Sequence, residues 1–276
     1  MALSQLSIGG NQEMSEAQTK PIMSGEKPDL NRAWIVRTGK RLRKRINPYI
    51  KRHSKVGNTP ILDRQHFPWL TMLEDNWEVM REEAEEILKY RDAIPSLSDI
   101  SPDHAKLDDE KKWRSYFLWG YGFKSKENCA RCPKTTAFVE QIPGLKTALF
   151  SIHEPGMTIA PHKGVTAGIC VAHLGLKIPD KHENCAIRVK DDIVHWRNGE
   201  AFVFDDTFKH ETWNHTDEER IILLLHFNRP TRFPGSLLAW VFMTGIRWSP
   251  FIGDARSEMG KWNTRFSKME AADQKP

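Results

Sequence analysis

Residues 147–178 read TALFSIHEPGMTIAPHKGVTAGICVAHLGLKI, and their pattern decides the fold class. Two short apolar runs, TALFSIH and GICVAHLGLKI, flank a segment punctuated by Pro155-Gly156, Pro161 and Gly164. Runs of this length, bounded by turn residues, are β-strands rather than helices. The same rhythm continues on both sides. WRSYFLWGYG (113–122) precedes it, and CAIRVK (185–190), IVHWRNG (193–199), EAFVFDD (200–206), HETWN (210–214) and RIILLLHFNRP (220–230) follow. Turn signals every 8–12 positions or so predict an all-β barrel or sandwich. The expected architecture is mainly β with flanking helices, a compact jelly roll whose open mouth holds a small ligand.

Within the opening stretch, PHKGVTAG (161–168) poses a chemical question. A histidine followed two residues later by a carboxylate is a common iron-ligand spacing, but Gly164 stands where the carboxylate belongs. His162 and His210 lie 48 residues apart, each at a strand boundary, and such strands can be neighbours across a jelly-roll mouth. Two imidazoles there suit iron, zinc or copper. The plainer alternative is a pair of structural histidines. Arg220 opens an otherwise apolar strand, so its guanidinium needs an anion. That anion is either a structural partner, Asp205 or Asp206, or a bound carboxylate taken by the bidentate fork. Ser151 and His173 sit in the strands flanking His162. Cys129 and Cys132 form CARC, which reads as a loop without metal, since a structural zinc needs two more ligands.

Outside the β region the chain changes character. PWLTMLEDNWEVMREEAEEILKYRD (68–92) has the i, i+3, i+4 apolar rhythm of one long helix, and 95–110 reads as a loop. Residues 1–29 are polar and expected to be disordered. Residues 30–56 form a basic arm: 31–55 hold ten Lys or Arg and no acid, so with a net charge of +5 the rest of the chain carries −5. Trp34, Leu42, Ile46 and Ile50 recur at helical spacing, with a break expected near Pro48. An anionic membrane surface is one partner for such an arm, and a solvated helix packed on its own domain is the other reading. Nucleic acid is not expected. The β domain is placed at 57–232, with its core at 113–230, followed by an apolar segment and polar tail at 233–276. No apolar run is long enough for a membrane span. The N-terminal residues lack the pattern of a secretion signal, and four cysteines do not make a disulfide framework. The expected location is cytoplasmic, with peripheral contact on the inner face of the membrane.

The motifs together resemble a known family. SIHEPGMTIAPHKGVTAG, HLGLKIP, Trp196-x-x-Gly199, FDDTFKHETWN, Arg220 and the upstream CARCPKTTAFVEQIPGLKTALFS are similar to the aspartyl/asparaginyl β-hydroxylases, iron(II) and 2-oxoglutarate dependent dioxygenases, over about 113–230. The resemblance implies a double-stranded β-helix and a hydroxylation that consumes O2. It implies His162 and His210 as iron ligands, with Gly164 at the vacant carboxylate position. It places Ser151 and Arg220 at the distal carboxylate of 2-oxoglutarate and His173 near its other end. The sequence departs from the pattern at Val171 and Ile169, where arginines that hold acidic groups are expected. With those arginines missing, a basic arm at 31–55 and an apolar segment GSLLAWVFMTG at 235–245, the leading substrate is an acyl chain of a membrane lipid, as in bacterial members acting on lipid A or ornithine-containing lipids. The alternatives are β-hydroxylation of a peptidyl or free aspartate, asparagine or other amino acid, and a catalytically silent binding module.

Overall fold

The computed structural model describes residues 42–100, 110–120, 122–247 and 250–273. Its centre is strand β4 (Leu145–His153), which is buried along most of its length. On one side β4 pairs with β2 (Trp113–Gly120), and β2 with the short β3 (Phe123–Lys124). On the other it pairs with β11 (Arg220–Asn228), then β6 (Ile169–Lys177), β9 (Ala201–Phe204) and β1 (Ile61–Leu62). All these pairings are antiparallel, and the sheet order is β1-β9-β6-β11-β4-β2-β3. A second sheet, β5-β10-β7-β8, is built from β5 (Thr158–His162), β10 (His210–Asn214), β7 (Cys185–Val189) and β8 (Asp192–His195). The chain passes repeatedly between the two sheets, which makes the jelly roll that the strand pattern predicts, in the double-stranded β-helix form that the family resemblance implies.

Side chains alternate across a pleated strand, so the large sheet has two working faces. Tyr116, Phe150, Leu174, Leu223 and Leu225 point to one face and form the main core with the helices. Val171, Ile222 and Phe204 point to the other and meet Ile187, Val189 and Trp196 in the space between the sheets. Ser151, His153, His173 and Arg220 share that inner face by register: Arg220 stands opposite His153, and Ile222 opposite Ser151. The polar residues of interest therefore line the inside of an otherwise apolar barrel.

The helical layer differs from its sequence reading in detail. The helix expected over 68–92 is two, α2 (Trp69–Glu74) and α3 (Trp77–Leu88). Asn76 leaves helical geometry between them, and its side-chain amide donates to the Met72 carbonyl at 2.8 Å, ending α2. The expected loop at 95–110 contains a helical turn, α4 (Leu97–Ile100). CARC is not a loop: Cys129 lies on α5 (Lys126–Arg131) and Cys132 stands just before α6 (Pro133–Val139) without a side-chain capping bond, with Pro133 at the first helical position, where its missing N–H costs nothing. All four cysteines are free and buried. Burial raises each thiol pKa, for Cys185 to about 11 and for Cys170 to about 12.

The described part of the basic arm is a helix, α1 (42–52), which continues through Pro48 without the expected break. Ile46 and Ile50, one turn apart on either side of that proline, are buried against Ala167 and Ala239, with Leu238 and Phe242 packed beside them. That tertiary anchoring overrides the local cost of the proline. Trp34 lies outside the described residues, as do residues 1–29. Two helices follow β11: α7 (Gly235–Arg247) lies against α1, and the expected polar tail forms α8 (Pro250–Asp273), which buries Phe266 and pairs Glu270 with Arg131 at 2.7 Å. Among the described residues no helix is long and apolar enough to cross a membrane.

Candidate active site

His162 closes β5 and His210 opens β10, and the two residues are direct partners in the ladder. Forty-eight residues of separation thus collapse to one cross-strand pair with ring centroids 4.1 Å apart. Each ring is oriented the same way. Nδ1 of His162 donates to the Ala160 carbonyl at 2.9 Å, and Nδ1 of His210 to the Phe208 carbonyl at 3.0 Å. A carbonyl can only accept, so both rings carry their proton on Nδ1 and keep the Nε2 lone pair free. Burial holds both pKa values down; for His210, burial and then the nearby His162 bring it to about 4. Neutral imidazole with a bare Nε2 is the form that binds a metal.

Gly164 has a specific reason to be glycine. Its N–H donates to the Asp206 carbonyl at 2.7 Å, and a Cβ placed on it would come within 1.9 Å of Asp206 Oδ2. The carboxyl of Asp206 occupies the room that a side chain at 164 would need. Its Oδ1 has no partner among the described residues, and burial, then Asp205, raises its pKa to about 7. The sequence reading considered Asp206 only as a partner for Arg220. Only the fold shows it crossing to the Gly164 position.

Arg220 has no carboxylate partner among the described residues. Both structural candidates are otherwise engaged or turned away. Asp205 makes a fully buried ion contact with Arg229 at 2.7 Å and a second with Lys51 at 2.9 Å. Arg229, unremarked in the sequence, takes the role expected of Arg220. Arg220 instead lies under the Trp196 ring, 4.6 Å from its centroid, and donates to Ser151 Oγ at 3.1 Å while its Nε has no partner among the described residues. Burial lowers its pKa to about 10, which still leaves it cationic at neutral pH.

Its neighbours add donors, not acceptors. Ser151 Oγ already accepts from Trp113 Nε1 at 3.0 Å and from Arg220, so its own proton is left for another acceptor. Trp196 Nε1 donates to His173 Nδ1 at 3.3 Å, which puts the His173 proton on Nε2, an atom with no partner among the described residues. His153 is also buried beside Arg220, and burial keeps both histidines neutral. Arg220, Ser151 and His173 thus present convergent donors around one buried positive charge. Beyond them on β6 the inner face turns apolar: Val171 packs with Phe204 and Ile222, and Ile169 continues the same face.

A double-stranded β-helix with paired imidazoles beside a buried donor cluster has the architecture of the jelly-roll oxygenases. The family model for aspartyl/asparaginyl β-hydroxylase matches residues 74–230, and the chain belongs to that family. Among curated relatives, the ornithine lipid ester-linked acyl 2-hydroxylase of Rhizobium tropici is 37% identical over 226 residues, covering 82% of this chain and 80% of its own length. The human aspartyl/asparaginyl β-hydroxylase is 32% identical over 167 residues, covering 59% of this chain and 21% of its own length. Among solved structures, the cupin domain of Schizosaccharomyces pombe Cnp3 covers 42% of this chain and 65% of its own length, at 10% identity and a TM-score of 0.29. The protein is an enzyme of the hydroxylase class.

Proposed function

We propose that the protein is an Fe(II) and 2-oxoglutarate dependent dioxygenase that hydroxylates an unactivated C–H on an acyl chain of a membrane lipid. The observation that carries the cosubstrate assignment is the buried Arg220 with convergent donors and no acid of its own. A dicarboxylate supplies the missing anion: Arg220 and Ser151 take its distal carboxylate, and His173 Nε2 donates near its other end. The residues at the mouth fit a divalent iron. His162 and His210 each offer Nε2, both rings are held by backbone carbonyls, and Gly164 brings no side chain to the site, its place being taken by the Asp206 carboxyl. Bound iron supplies the O2-dependent oxidation, with 2-oxoglutarate as the electron source and succinate and CO2 as its products. The protein's own part is placement: two histidines fix the metal, three donors fix the cosubstrate, and the barrel wall keeps water from both.

The lipid assignment rests on the inner face of β6 and on the likeness to an acyl hydroxylase. Val171 and Ile169 are apolar where an acid-reading enzyme needs cations, so an acyl chain suits this wall better than an aspartyl side chain. Lipid mass spectrometry of cells with and without the gene, with His210→Ala as control, tests the reading. The expected result is a lipid species heavier by one oxygen atom, present only with the unaltered chain. A hydroxylated free or peptidyl amino acid with no change in any lipid would overturn the lipid assignment. Absence of iron binding and of succinate production would establish the silent binding module instead.

A further inference from the structure

We propose that α1 and α7 together form the surface on which the enzyme docks to an anionic lipid leaflet, with α7 entering the interface and α1 supplying the charge. Helix α7 is apolar on two sides. Its inward side packs Ala239, Leu238 and Phe242 against α1. Its outward side leaves Leu237, Trp240 and Val241 between 51% and 65% exposed, at i, i+3, i+4 spacing, with Phe233 exposed just before the helix. A second apolar stripe on an already packed helix has no use in water. An exposed tryptophan within it is characteristic of a lipid–water interface.

The charge beside it selects the leaflet. Lys44, Arg45, Arg52 and Lys55, on α1 and just beyond it, are exposed and make no ion pair among the described residues, unlike Lys51, which is held by Asp205. Along α7 itself there is no acid and a single cation, Arg247. Arg247 and Lys146 also line a cleft of about 320 Å³ beneath α7, walled by Trp240 and Met243, again with no acidic partner among the described residues. Apolar stripe, flanking cations and cationic cleft share one complement, an anionic amphiphile assembled as a surface.

The surface is tied directly to the site. Asn47 of α1 accepts from the Ala167 N–H at 3.0 Å, and its amide donates to the Val165 carbonyl at 3.5 Å. Ala167 is buried between α1 and α7, and Val165 is exposed. The loop so clamped begins at His162. Five residues of chain reach at most about 18 Å, so the loop tethers His162 within that distance of the point where Ala167 meets α1 and α7. Gly168, where a Cβ would come within 3.3 Å of Ala239 on α7, leads directly into Ile169 and Val171 of the apolar wall.

This deepens the lipid reading, but partitioning can be measured without turnover, so the two fail separately. The full chain is mixed with vesicles of phosphatidylcholine, alone or with phosphatidylglycerol, and the bound fraction is measured by sedimentation. Binding is expected only to the mixed vesicles. Leu237→Glu with Trp240→Glu should weaken it at least about tenfold. Reversing Lys44, Arg45, Arg52 and Lys55 to Glu should weaken it by a similar factor and abolish its salt dependence. The melting temperature in the absence of vesicles should stay close to the parent's in both variants, which shows that they are folded. The proposal is overturned if either variant binds like the parent. It is also overturned if light scattering shows a dimer that the α7 variant abolishes, because a second copy then covers the stripe. Vesicle binding with no lipid hydroxylation would leave the docking surface standing and remove the acyl-chain substrate.

Discussion

At the scale of single residues, Arg220 is the informative one. A buried guanidinium without a counter-ion is a net cost to the empty protein, of the kind that a methionine of similar volume removes. Arg220→Met is therefore expected to raise the stability of the ligand-free protein, by about 1–3 kcal/mol. The same substitution should abolish the upward shift in melting temperature that 2-oxoglutarate with a divalent ion gives the parent, which at a hundred times Kd is worth about 2.7 kcal/mol. Thermal unfolding with and without the two ligands checks both signs. A destabilised variant that still responds to 2-oxoglutarate would make Arg220 structural. The sequence placed Arg220 correctly as a buried charge but left its partner open, because Asp205 and Asp206 are adjacent and equivalent as letters. What separates them is Arg229, nine residues along and beyond the end of β11, which captures Asp205. Asp206 was legible only as a carboxylate. Its approach to Gly164 depends on a loop path that no local pattern encodes.

At the scale of elements, strands were read more faithfully than helices. Each β-run has its own turn signals and a two-residue period, and the inner and outer faces follow from register. The helical segment 68–92 has an unbroken apolar rhythm, yet it divides at Asn76, where a side-chain amide competes with the backbone for the Met72 carbonyl. Helix α6 shows a tie that periodicity cannot reveal. The carboxylate of Glu83, on α3, accepts from the N–H groups of Lys134 and Thr135 at 2.8 Å each and from the Thr135 hydroxyl at 2.6 Å. A long-range acid thus caps the helix that no residue of its own caps. Glu83→Ala should cost about 1–2 kcal/mol, read from the midpoint of urea unfolding, with the slope unchanged and cosubstrate turnover retained.

At the scale of the whole molecule, one barrel carries two differently composed ends of the same task. Its inner face holds the donors and the paired imidazoles. Its outer layer, α1 and α7, holds bare apolar surface and unpaired cations. The basic arm was legible as charge, but its two readings, packed helix and membrane contact, looked exclusive in the sequence. The fold shows the packed helix and leaves room for the proposed membrane contact on its other side. Ile46 and Ile50 face the protein while Lys44, Arg45 and Arg52 on either side of them are exposed, and the apolar contribution comes from α7, nearly two hundred residues later in the chain.

The four buried thiols have a practical consequence. With every native cysteine free, buried and raised in pKa, a cysteine introduced at Val241 would be the most reactive thiol among the described residues. A nitroxide or an environment-sensitive fluorophore could then be attached there with the native cysteines left in place. Its accessibility to oxygen and to a water-soluble quencher would give the immersion depth of α7 directly, in ångströms from the phosphate plane.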